Sequence, residues 1–168
     1  NAPQLVPRRQ IKDNADGLFS PGENLIRIAD DLDGPFIPRT LRHEAGHMLD
    51  RAVGMVKDDG IRKELDLLFK EGSTRRGTKG AYTPRDAGYP ENEVRDERIA
   101  EALRIYMEHP AYIKQVAPKT AARIRKVFND HPRVAEWIQF NGIAGLLALG
   151  GGASLAAMTG QPAQAQEQ

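Results

Sequence analysis

Cysteine is absent from the sequence. Its absence excludes a disulfide framework, a thiolate metal site and a thiol nucleophile, and leaves the cellular compartment undecided. An excess of charge of either sign is lacking as well: 24 Lys and Arg stand against 23 Asp and Glu, a net charge of +1. No global field follows that would recruit nucleic acid or an anionic membrane, so nucleic-acid binding is not expected. The N-terminal stretch NAPQLVPRRQIKDNADG contains no apolar run of signal-peptide type and no initiator methionine, and the chain is expected to be processed or excised from something longer. There is no internal repeat that would announce a solenoid or propeller. Without thiolates, any metal would have to be held by His, Asp and Glu.

What is there is an ordinary globular balance, 40% apolar and 28% charged over 168 residues, which suits one domain with its own core. Residues 1–20 are polar, rich in turn formers and weakly periodic, and read as an N-terminal arm that docks on the domain or stays mobile. A domain is expected over 21–140. It opens with a strand, NLIRIA at 24–29, after the turn signal SPGE. Pro38 stands where an N1 proline would, and the run to Val53 reads as a helix closed by Gly54. A second helix is expected over 61–71, with Ile61, Leu65, Leu68 and Phe69 at helical spacing and Gly72 as its stop. The Gly-rich, basic segment 73–90 reads as a long loop, of the kind that in small domains is functional or disordered.

Helical patterning returns over 91–108, with Ile99, Leu103 and Met107 in one row and Pro110 as the stop. A further helix over 118–129 and a short amphipathic piece over 134–140 follow. Together these elements give a mainly helical α+β fold with a small sheet. Residues 141–168 form an apolar Gly/Ala-rich tail, uncharged from Gly142 to Gly160. That run is long enough to cross a hydrocarbon core of about 30 Å as a helix, which allows membrane contact through 142–160. The triplet Gly150, Gly151, Gly152 and the lack of anchoring residues argue instead for a flexible or partner-docked tail.

The densest chemistry lies in HEAGH, residues 43–47. On a helix, positions i and i+4 share one face a turn apart, so His43 and His47 can aim both imidazoles at one point, as tetrahedral zinc requires of two ligands. Glu44 is turned by roughly 100° from His43 and would stand beside the metal, placed to take a proton from an activated water. Gly46 adds no side chain, so a neighbouring strand or a substrate can approach the helix there despite a propensity cost of about 1 kcal/mol.

A catalytic zinc site needs a third protein ligand. The elongated pattern HExxHxxGxxH is excluded, because Asp50 and Val53 stand where Gly and His would be needed. His109 and His131 each precede a proline at a helix edge and read as boundary residues. A carboxylate on a second helix remains. In NEVRDERIAEALRIY, Glu97 and Glu101 are spaced i, i+4, so Glu97 can serve as ligand while Glu101, one turn on, holds the free N–H of a ligand histidine. Glu93 and Asp96 compete for the ligand role. An acidic face balanced by Arg95, Arg98 and Arg104 is the structural alternative.

HEAGHMLD, a charged helix ending FKEGS, a tyrosine-bearing loop, DERIAEALRIY and APKT at 117–120 follow one another in the order and spacing of a known family. Over roughly residues 20–130 the chain resembles the lethal-factor-like zinc peptidases, the family of the anthrax-toxin catalytic domain within the gluzincin class. The resemblance implies a zincin-like metallopeptidase domain with Zn2+ held by His43, His47 and Glu97, Glu44 as general base and Glu101 behind the ligands. It also implies an oxyanion-stabilising tyrosine in the loop before the glutamate ligand. Tyr89 is the nearest match and Tyr82 its rival. The NLIRIA strand would line the cleft, where an extended protein or peptide substrate adds as a further strand. The basic, Gly-rich insertion around 75–80 departs from the family pattern. Its arginines and lysine, with Arg85, would favour acidic substrates or simply solvate the loop.

The implied activity is peptide-bond hydrolysis. The implied setting is a secreted, toxin-like or phage virion-associated protein, with this chain one part of a larger polypeptide or assembly. Two other classes stay open: a zincin-like scaffold that has lost hydrolysis, against which the intact Glu44 argues, and an interaction module without metal, which would leave His43 and His47 without purpose.

Overall fold

Within NLIRIA the strand residues Leu25, Ile26, Ile28 and Ala29 are all buried, and of the five from Leu25 to Ala29 only Arg27 reaches partly into solvent. Burial on both faces marks a central strand, and the computed structural model, which describes residues 2–53, 58–75 and 83–131, places it there. The sheet has three strands in the order β1-β3-β2, with β1 Gln4–Val6, β2 Gly17–Ser20 and β3 Leu25–Ala29. β1 runs parallel to β3 and β2 antiparallel. Two of the three strands therefore come from the stretch expected to be an arm, and a boundary between residues 20 and 21 would cut the β2–β3 hairpin at its turn. Strands of three and four residues are too short for a period of two to show in the sequence.

Five helices follow: α1 Phe36–Val53, α2 Arg62–Arg75, α3 Val94–Glu108, α4 Pro110–Val116 and α5 Pro118–Asp130. The fold is thus mixed α+β and mostly helical, with a small sheet. α1 begins two residues before Pro38, its first turn closed by the Phe36 N–H donating to the Asp33 carbonyl at 2.8 Å. α2 does not stop at Gly72 but continues through it. Pro110 ends α3 by opening α4, and Pro118 opens α5 in the same way, since a missing N–H costs nothing in a first turn. His109 lies between α3 and α4 and His131 caps α5, both exposed and outside the site described below. Gly54, Tyr82, the piece 134–140 and the tail 141–168 lie outside the described residues. Among the described residues no helix is long and apolar enough to cross a membrane.

The larger apolar core joins α1, α2, α3, α4 and α5 through Leu49, Leu65, Leu68, Leu103, Ile113 and Ile124. A smaller one seals the sheet against α1 through Ile26, Ile28, Leu41 and Ala45. α1 and α3 come into close contact at Gly46, where an added Cβ would stand 2.7 Å from the Ala100 carbonyl oxygen. The close neighbour is thus a helix backbone rather than a strand or substrate. Gly46→Ala should destabilise the chain, because overpacking against backbone costs about 1–3 kcal/mol while the gain in helix propensity returns only about 1 kcal/mol. Urea denaturation checks the sign, and a stabilised variant would mean that the two helices part freely.

Candidate metal centre

α1 and α3 bring three of the expected side chains together. His43 Nε2 lies 3.2 Å from Glu97 Oε2, and His47 Nε2 lies 3.2 Å from Glu97 Oε1. The two imidazoles meet edge to face, their centroids 4.9 Å apart. One ligand atom from each of His43, His47 and Glu97 can be chosen so that all lie within 4.8 Å of one another, which is a group that could hold a metal ion. Behind it, His43 Nδ1 faces Glu101 Oε2 at 3.2 Å. Two imidazole nitrogens and one carboxylate, with a carboxylate behind the first histidine and a cavity of about 1080 Å3 in front, fit the donor set and the open side of a catalytic metal site.

Glu44 lies in the same cleft, and its Oε2 accepts the N–H of Phe19 at 2.9 Å. Gly17 packs over the same carboxylate, where an added Cβ would come within 2.9 Å of it and within 2.6 Å of Thr40. The cleft wall is therefore β2. β3, expected to line the cleft, lies between the other two strands and contributes nothing to the lining. The Ala29 N–H donates to the Asp16 carbonyl. Pairing alternates along an antiparallel ladder, so Gly17 and Phe19 turn their backbone groups to the outer edge. No pattern in the sequence marks them, since edge position depends on which strands pair.

Of the competing carboxylates, Glu93 and Asp96 also line the cleft but stand outside the group of three. Glu93 precedes the first turn of α3, and Asp96 pairs with Arg95 at 2.5 Å. Arg95 in turn donates to Asp50 at 2.9 Å, tying the end of α1 to α3. Tyr89 also lines the cleft, half-buried, beside a turn where Gly88 takes φ 93. Arg85, from the loop expected to favour acidic substrates, is engaged by Glu91.

Burial opposes a charge on His43, but the carboxylates of Glu101 and Glu97 outweigh it and push its pKa up from 6.5 to about 9. Burial would likewise raise Glu97 and Glu101. The histidines at Glu97, and His43 with Arg104 at Glu101, hold them well below the usual carboxylate range instead. In the metal-free chain the protonation of these groups is linked to folding. His43 is raised on folding, so its contribution is fully present below pH 6.5 and lost as pH rises through about 9. The carboxylates are lowered, so theirs is present above pH 4.5 and lost below it. Thermal melts of the metal-free chain should peak between those limits. A metal instead requires neutral His43, so the gain in melting temperature on adding metal should widen from pH 6.5 towards 9.

Fold and site together define a class: a mainly helical α+β chain with a His–His–Glu group, able to hold a metal, at the edge of a small sheet. No family model matches the chain, and no curated protein or solved structure is significantly similar to it.

Proposed function

We propose that this chain is a zinc-dependent peptidase of zincin-like fold, with His43, His47 and Glu97 as the metal ligands. The observation that carries the reading is the convergence of these three side chains with Glu44 in one cleft. The resemblance of HEAGHMLD and DERIAEALRIY to the lethal-factor-like peptidases points the same way. Zinc, when bound there, supplies Lewis acidity and lowers the pKa of a water ligand to about 7.

The chain's own groups account for the rest. Glu44 takes the proton of the attacking water and returns it to the leaving amine, and the Phe19 amide, bound to one of its oxygens, orients the carboxylate. Tyr89, which lines the same cleft, donates to the developing oxyanion. The substrate chain runs along the outer edge of β2, where the main-chain groups that Glu44 does not occupy hydrogen-bond an extended peptide.

The test is zinc content of the chain purified without added metal, followed by cleavage of a mixed peptide library with and without chelator. One zinc per chain and chelator-sensitive cleavage that zinc restores are expected. Zinc without cleavage would transfer the chain to the silent scaffolds, and a chain that takes up no zinc would be an interaction module.

A further inference from the structure

His43 is one end of a ring of charged side chains that starts and finishes on α1. Its Nδ1 faces Glu101 Oε2 at 3.2 Å. Glu101 is gripped through both oxygens by one guanidinium, with Arg104 Nε donating to Oε2 at 2.9 Å and Nη2 to Oε1 at 2.7 Å. The remaining nitrogen of Arg104 donates to Glu108. Glu108 accepts Nη1 of Arg42 at 3.3 Å, and Arg42 is the residue immediately before His43. A branch comes from Arg39, whose Nη2 lies 3.4 Å from Glu101 Oε1 and 3.1 Å from the carbonyl oxygen of Gly72.

Stability does not explain the ring. Arg104 is 1% exposed, and charges taken so far out of water are often replaceable by apolar groups of equal volume at no loss. Orientation does explain it. A forked guanidinium fixes the plane of a carboxylate in a way that a point charge cannot. With Glu101 fixed, its Oε2 accepts from His43 Nδ1, so the proton that a metal would displace is the one on Nε2, the nitrogen on the Glu97 side. Gly72 completes the arrangement from α2: a Cβ there would lie 1.7 Å from Glu101 Oε1, so the carboxylate can hold this position only beside glycine.

We propose that Arg104 is a positioning residue for the metal centre, acting through Glu101 to select the His43 tautomer that presents Nε2, with Gly72 as the space that permits it. The inference rests on the reading of His43, His47 and Glu97 as zinc ligands.

The experiment uses the full chain and measures zinc affinity by competition with a chromophoric chelator. It also records the ring 15N signals of His43 in the zinc-loaded protein. R104M should weaken zinc by about 10- to 100-fold, the usual effect of losing an outer partner of a ligand histidine. R104K should fall in between, since an ammonium replaces the charge but not the fork. G72A removes no charge and favours the helix, yet should weaken zinc in the same direction by displacing Glu101, which keeps the test decisive if R104M does not fold. T120V deletes the buried hydroxyl bond to Glu64, 2.8 Å long and remote from the ring. It should lower the melting temperature and leave zinc affinity unchanged, separating general destabilisation from positioning.

The parent should show an Nδ1 proton shifted downfield and slowed in exchange by its bond to Glu101, and the G72A and R104M proteins one that exchanges faster. Parent-like zinc affinity and parent-like His43 signals in folded R104M or in G72A would overturn the inference while leaving the zinc site standing. A parent that takes up no zinc would overturn the zinc reading itself, and the inference with it.

Discussion

Glu97→Ala should strip the chain of zinc: from one ion per molecule to a small fraction by elemental analysis, under conditions where the parent retains its metal through purification. Among the described residues Glu97 is the one carboxylate that reaches both histidines, an oxygen to each at 3.2 Å. Its removal leaves two imidazoles from a single helix, and the third donor that closes a catalytic zinc site is gone. The loss should exceed the roughly 10- to 100-fold typical of changes behind the ligands. A second readout comes from linkage. At a free zinc concentration of about 100 times Kd the parent gains about 2.7 kcal/mol of stability, and the variant should gain almost none. Full zinc content in Glu97→Ala would transfer the ligand role to Glu93 or Asp96, which line the same cleft.

Glu44→Gln should separate binding from chemistry. The amide has nearly the volume of the carboxylate, and its oxygen can still accept the Phe19 N–H, so fold and zinc content should match the parent. It cannot accept a proton from water at neutral pH, and peptide hydrolysis should fall by about 10²- to 10⁴-fold, the range that general-base catalysis supplies. The decisive comparison is kcat on a cleaved peptide with zinc content measured on the same sample. A variant that loses zinc together with activity would show that Glu44 helps to hold the site, and one that keeps its rate would remove Glu44 from the mechanism.

The helix that carries HEAGH was legible because i, i+4 geometry is local: once the run from Pro38 is helical, His43 and His47 must share a face. The same reasoning placed Glu97 and Glu101 one turn apart, and it also left Glu93 and Asp96 in contention. Local spacing does not say which face of α3 meets α1. Packing at Gly46 against Ala100 decides that, turning Glu97 to the histidines while Asp96 pairs with Arg95.

Gly72 shows the limit of reading glycine as punctuation. A glycine after an apolar run is a good helix stop by propensity, but here α2 continues through it, and the missing side chain leaves room for Glu101, far away in the sequence. β2 shows the limit for strands. Which strand forms the edge depends on sheet order, and sheet order is a property of pairing rather than of any one segment.

By itself, then, the sequence determined the donor types, by excluding cysteine, and the two i, i+4 pairs set by helical periodicity. The tertiary structure alone decided which carboxylate faces the histidines, which strand edge borders the cleft and how Arg104 fixes Glu101. Each of those depends on residues distant in sequence meeting at close-packed backbone, and no local pattern encodes such meetings.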